Sequence, residues 1–153
     1  MVIDPQSDGG GFNAKEWPFF WLTHATGLYL NRLEKGLKRV ALDIPRWRVL
    51  MCIQPNDARS ISEIADLAIV KLPTMMKLIQ RMETEGLVRC ETRANDGRFT
   101  DVSLTASGLE ARRNAWHTAG KIYSNAFADA DGADLDHLNA LLRLVVGRLR
   151  DEA

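Results

Sequence analysis

Neither sign of charge dominates this chain. Lysine plus arginine number 20 and aspartate plus glutamate number 20, so the formal net charge is zero and no polybasic tail announces a nucleic-acid partner. Any surface for such a partner has to come from local segregation of charge. Long apolar runs are missing too. No stretch approaches the roughly 18 residues that a membrane span needs, and Met1 to Gly11 hold no apolar core long enough for a secretory signal, so a cytoplasmic location with no membrane attachment is expected. Cysteine is scarce: Cys52 lies in an apolar run and Cys90 in a stretch that reads as strand, which makes neither a disulfide framework nor a zinc site. The histidines, His24, His117 and His137, lack metal-ligand spacing, and the tract Gly9-Gly10-Gly11 follows no strand. Neither a zinc hydrolase nor a phosphate loop is supported, so no catalysis, metal or cofactor is expected.

What is present points to one small domain. A chain of 153 residues with 46% hydrophobic content can bury one core with helical extensions and is short for two independent cores. Charge does segregate: residues 71 to 98 carry Lys71, Lys77, Arg81, Arg89, Arg93 and Arg98 against Glu83, Glu85, Glu91 and Asp96, while Asp129, Asp131, Asp134 and Asp136 make a later stretch acidic.

Helical periodicity starts near Trp17, with Pro18 suited to a first turn. Over residues 17 to 40 it puts Leu22, Tyr29, Leu33, Leu37 and Val40 on one face. The opposite face begins with Trp17, Phe20, Trp21, His24 and Leu28 and turns to Asn31, Arg32, Lys35, Lys38 and Arg39, so the helix should begin buried on both sides and end with one side wet. Pro45 opens a second helix with Trp47, Val49, Leu50, Met51 and Ile53 as core, ended by Pro55-Asn56-Asp57. Ser60 and Glu63 have capping-box spacing for a third, through Ile64, Ala65 and Leu67. Pro73 suits the first turn of a fourth, with Met75, Leu78, Ile79 and Met82 at core spacing and Gly86 as its terminal cap. Leu87 to Arg93 and Thr100 to Thr105 read as two strands joined by a turn-rich link. Thr105 can cap a fifth helix with core positions Leu109, Trp116, Ile122, Tyr123 and Phe127, and a sixth carries Leu135, Leu138, Leu142, Val145, Val146 and Leu149 along one side.

The fold class is therefore mainly α with a small β-hairpin. Two short helices, the second with polar and cationic residues on its free faces, followed by a hairpin with an arginine tip, give the layout of a winged helix-turn-helix. A helix fits the major groove, and an extended tip can reach the narrow minor groove, where the concentrated negative potential favours arginine.

Here the sequence resembles the MarR family of bacterial transcription regulators. The resemblance runs from Trp17 to Arg150 and is most specific in Pro45-Arg46-Trp47-Arg48-Val49-Leu50, in Glu63-Ile64-Ala65 through Arg81-Met82-Glu83-Thr84-Glu85-Gly86-Leu87-Val88, and in Asp96-Gly97-Arg98 leading to Val102-Ser103-Leu104-Thr105-Ala106-Ser107-Gly108. The glycine tract and the start of periodicity at Trp17 make 1–16 a flexible leader; the resemblance implies a DNA-binding lobe at 45–104 and a helical dimerisation region at 17–44 and 105–153, the whole binding a palindromic double-stranded operator as a homodimer, with repression as the expected sense. It also implies that residues 71 to 85 are the recognition helix and that Arg98 is the wing arginine, braced by Asp96. The expected DNA-binding residues are Lys71, Thr74, Met76, Lys77, Arg81, Asp96 and Arg98. The sequence departs from the family at Ile69, where a turn glycine is common, and at Lys71, Leu72 and Pro73, which replace small or polar caps. Leu72 either meets a thymine methyl or closes the turn.

Small aromatic acids commonly bind members of this family between the first helix, the start of the second and the fifth. That makes Trp17, Phe20, Trp21 and His24 candidate walls and Arg46 or Arg48 the candidate cation for a small aromatic carboxylate such as an indole- or phenyl-acetic acid. On periodicity alone the same aromatics are core. Two further readings stand beside this one: a regulator of the same fold that senses oxidants through a cysteine, and a winged-helix module used only for protein contacts.

Overall fold

In a computed structural model, which describes residues 13–151, the expected helix signals act where they stand. After a short 3-10 turn at Ala14–Glu16, Trp17 caps α1 (Pro18–Lys38), with the proline in its first turn. Asp43 caps α2 (Ile44–Cys52), its carboxylate accepting from the Arg46 N–H at 2.9 Å. Ser60 and Glu63 close a reciprocal capping box on α3 (Ile61–Ala68): the Glu63 N–H donates to Ser60 Oγ and the Ser60 N–H to the Glu63 carboxylate. Helix α4 (Leu72–Thr84) ends in a Schellman turn, with Gly86 at φ 75° and the Gly86 and Leu87 N–H groups donating to the carbonyls of Glu83 and Met82. Strands β2 (Val88–Thr92) and β3 (Thr100–Leu104) form the hairpin, and α5 (Ala106–Ala126) and α6 (Gly132–Asp151) follow. The Thr105 hydroxyl joins two elements, accepting from the Gly108 N–H at 3.0 Å while donating to Gly86 O at 2.6 Å.

The hairpin is part of a larger sheet. A third strand, β1 (Ala58–Ser60), pairs antiparallel with β3, giving the order β1-β3-β2. Ala58 lies opposite Ser103, and Cys90 lies opposite Val102. Three residues are too few to show alternation, so this strand is defined by its partner and not by its own pattern.

The described residues divide into two compact units, one ending at Ile122 and the other beginning at Tyr123. In the first, Leu33 and Leu37 of α1, Val49 and Leu50 of α2, Ile64 of α3, Met75, Ile79 and Met82 of α4, and Val102 of β3 share one fully buried core. Two expectations are corrected here. The first half of α1 is not buried on both sides: Phe19, Trp21, Leu28 and Tyr29 are exposed, and burial begins at Leu33. The buried stripe of α5 is Gly108, Ala115 and Ala119, with Ala111 and Ile122 half-buried beside it, while Trp116 and Tyr123 face solvent. Close approach explains the small residues, because a Cβ at position 108 would lie 1.9 Å from Leu87 O. The second unit holds α6, none of whose residues is buried.

The turn between α3 and α4 contains Ile69 at φ 54°, ψ 51°, with 88% of its surface exposed. The left-handed conformation costs an L-residue roughly 1–2 kcal/mol, and a β-branched one gains no local hydrogen bond in return.

Candidate nucleic-acid interface

Helix α4 is positioned by its buried face. Met75, Ile79 and Met82 sit in the core and leave Thr74, Met76, Lys77, Gln80 and Arg81 exposed, with Lys71 exposed at the N-cap. The side chains of Lys71 and Lys77 enter no hydrogen bond or ion pair among the described residues, so their ammonium groups are available to an anion. Gln80, not singled out from sequence, shares this outward surface about two turns along from the helix start; a side-chain amide can pair with an adenine edge.

Arg81 is placed differently. Its guanidinium is half exposed but lies 3.5 Å from Asp43 and 3.6 Å from Glu85. These carboxylates are held chiefly by Arg46, whose side chain is only 18% exposed. Arg46 Nε donates to Glu85 Oε2 at 2.8 Å, and its two terminal nitrogens make short contacts with Glu85 and Asp43. Hydrogen bonding to Arg46 is the main reason the Glu85 carboxyl sits below its ordinary range. The network therefore pins the end of α4 to the first turn of α2.

The hairpin tip is organised by a second set of pairs. Asp96 accepts from Arg98 Nε at 2.9 Å, from its terminal nitrogen at 2.8 Å and from its backbone N–H at 3.2 Å. The carboxylate holds the guanidinium in a fork while 85% of the Arg98 side chain stays exposed. Below the tip, Arg93 grips Asp101 through three hydrogen bonds of 2.6 to 3.1 Å, lies 3.9 Å from Glu63 and stacks 5.1 Å over the Phe99 ring. The sequence contained the signal for Arg93. Glu91 faces Asp101 across the ladder, so Arg93, two residues on, meets Asp101 diagonally on one face.

The aromatic residues at the start of α1 do come together. Phe20 meets Trp21 edge-on at 5.0 Å and His24 at 4.1 Å, Trp21 Nε1 donates to Lys15 O at 2.7 Å, and Trp17 lies 6.1 Å from Phe19. Arg46 is not among them. It follows the far end of α1, a helix about 30 Å long at 1.5 Å per residue, and its donors are taken by Asp43 and Glu85. Arg48 is half-buried, and its side chain makes no hydrogen bond or ion pair among the described residues.

Other chemistries find little here. Among the described residues no cluster of His, Cys, Asp and Glu could hold a metal ion, and no helix is long and apolar enough to cross a membrane.

A winged helix-turn-helix with exposed lysines on α4 and a carboxylate-held arginine at the hairpin tip can be compared with known proteins. The sequence model of the MarR family covers residues 42–100. The transcriptional repressor IacR of Pseudomonas putida is 37% identical over 146 residues, 95% of this chain and 86% of that protein. The chain belongs to the MarR family. Among solved structures, CouR of Rhodococcus jostii RHA1, bound to p-coumaroyl-CoA, superposes with a TM-score of 0.80 at 17% identity, covering 87% of this chain and 94% of that one. BpsR of Bordetella bronchiseptica, whose DNA binding is regulated by 6-hydroxynicotinic acid, does so at 0.69 and 19% identity, covering 82% and 96%. These two likenesses concern the fold. With the family established, the chain is a transcription regulator and not an enzyme.

Proposed function

We propose that this MarR-family regulator represses transcription as a homodimer on a palindromic operator and is released by a small aromatic carboxylic acid. The reading of DNA rests above all on the exposed, Asp96-held Arg98 at the wing tip beside the unpaired Lys71 and Lys77. In this reading α4 enters the major groove with Lys71, Thr74, Met76, Lys77 and Arg81 near DNA, and Arg98 enters the adjacent minor groove. Two-fold symmetry of the protein implies the palindrome. Selection of bound duplexes from a random library tests this: an enriched inverted repeat is expected, and retention of no duplex at low salt would favour a protein-contact module instead.

Support for the ligand comes from the aromatic group of α1 and from the molecules named for CouR and BpsR, one an aromatic acyl thioester and the other an aromatic acid. Since the donors of Arg46 are occupied, the carboxylate falls to Arg48, with Trp17, Phe20, Trp21 and His24 of the second protomer as walls. Release requires that the ligand prefer the spacing of recognition helices that does not fit the operator. Calorimetry with indole-acetic, phenylacetic, benzoic and cinnamic acids should show binding that Trp21→Ala and Arg48→Ala each weaken; wild-type affinity in both variants would return the aromatics to a packing role. A thiol sensor is the weaker reading, because burial, with Glu83 beside it, pushes Cys90 up to about 11 and burial raises Cys52 as well, leaving both poor nucleophiles.

A further inference from the structure

The turn entering α4 leaves apolar side chains in solvent at a place where the fold has no use for them. Ile69 is 88% exposed in a left-handed conformation, and Leu72 and Met76, one helical turn apart on the same edge of α4, are each 45% exposed. Such exposure argues against a role in closing the turn, which would bury them on their own chain. A glycine at 69 would make the turn without strain. Lys71 and Lys77, adjacent in sequence to Leu72 and Met76, are exposed and unpaired, so this apolar edge is framed by positive charge, which suits a polyanion better than a second apolar protein surface.

We propose that Ile69, Leu72 and Met76 form an apolar reading edge for thymine methyl groups in the operator's major groove. This rests on the DNA-binding reading above and deepens it by naming the base feature recognised. The first residues of a recognition helix are those that meet base edges, and the C5-methyl of thymine is the apolar element displayed there. Charge contacts from Lys71 and Lys77 set the depth of the helix and carry no base preference of their own. Sequence preference in this part of the half-site then comes from dispersion and methyl burial, with thymine favoured over cytosine and over uracil.

The test uses the full-length chain and an operator that the chain itself selects from a random duplex library. Each thymine of one half-site is replaced in turn by deoxyuridine, which removes the methyl and keeps every hydrogen-bonding group. At one or two positions the wild-type chain should lose about three- to fivefold in affinity, the factor expected for one buried methyl. At the same positions Leu72→Ala and Met76→Ala should bind thymine and uracil operators alike. Ile69→Gly relieves the left-handed strain, so it should melt at or above the wild-type temperature and still lose preference for thymine, which separates reading from folding. Equal wild-type affinity for thymine and uracil at all positions, or full discrimination retained by the three variants, would overturn the proposal and leave DNA binding standing. Failure to enrich any duplex would overturn both.

Discussion

The winged-helix lobe and the terminal helices use their apolar residues in different ways. Between α2 and β3 a set of large apolar side chains is consumed by its own chain: Val49, Leu50, Ile53, Ile64, Met75, Ile79, Met82 and Val102 have no exposed surface, while Leu67, Ile69, Leu72, Met76 and Phe99 stay exposed. Along α6 nothing is buried, and Leu141, Leu144 and Leu149 are about half exposed or more; the first half of α1 likewise exposes Trp21 and Leu28. An amphipathic helix draws most of its stability from packing its apolar face, so a helix with an open apolar stripe is half of a structure. The lobe closes its core within one chain, and in the proposed homodimer the open faces of α1 and α6 are the ones a second copy would cover.

This contrast can be broken most directly in the core. Leu50→Ala should cost about 2–5 kcal/mol in urea unfolding, since it opens a cavity in a fully buried cluster. Leu144→Ala, with 60% of the side chain already in solvent, should cost the isolated protomer less than about 0.5 kcal/mol. Equal losses for the two would mean that the lobe and the ends are not organised differently.

The next test addresses the second copy. Leu141→Glu combined with Leu144→Glu puts two charges into the open stripe and should weaken association by about 2–4 kcal/mol, read as a shift from dimer to monomer by light scattering at micromolar concentration. Core packing should survive, visible as unchanged near-ultraviolet circular dichroism. A wild-type chain that is already monomeric there would remove the dimer and the palindrome together.

Within the lobe, the groups proposed to face DNA are separable from the stabilising ones. Arg98→Ala should lower affinity for the selected operator about ten- to a hundredfold and leave the melting temperature unchanged, because an exposed pair adds little to stability. Lys77→Ala should weaken binding to all sequences and reduce the slope of log affinity against log salt by about one. An operator titration giving wild-type affinity for Arg98→Ala would move the minor-groove contact elsewhere.

How much of this was readable from the sequence follows the range of each interaction. Signals confined to a few residues were legible: the Ser60–Glu63 capping box, the Gly86 turn, the Thr105 cap and the Asp96–Arg98 fork all span six residues or fewer in their local hydrogen bonds. Strand β1 was not, because its pairing with β3 joins segments far apart in sequence. The α5 stripe misled for a different reason. Trp116 and Tyr123 carry the strongest hydrophobic signal, yet the helix approaches its neighbours through Gly108, Ala115 and Ala119, which contribute little to any periodicity count. Arg46 was read as an unpaired cation, and its partner Glu85 lies 39 residues away, beyond the reach of local reasoning.

A smaller effect than the loss of a core side chain is expected at that last pair, and it asks whether the angle of α4 is set inside the lobe. Arg46→Ala leaves Asp43 and Glu85 without their main donor and should cost about 1–3 kcal/mol. Glu85 is one-third exposed, so its coupling to Arg46 in a double-mutant cycle should be nearer 1 kcal/mol. The pH dependence has a definite sign. Because Arg46 holds the folded Glu85 carboxyl below the ordinary value of 4.5, the pair contributes fully above that pH and loses its contribution as pH falls through the lowered folded value. Glu63, Asp96 and Asp101 are lowered as well and titrate in the same acid range, so the stability of wild type alone does not isolate the pair. The difference between wild type and Glu85→Gln does. It should be constant from pH 7 to about 5 and shrink below 4.5, and Glu85→Gln should weaken operator binding at neutral pH although Glu85 touches no DNA in this arrangement. A difference that stays flat into the acid range, together with unaltered operator affinity, would show that the network does not hold the recognition helix.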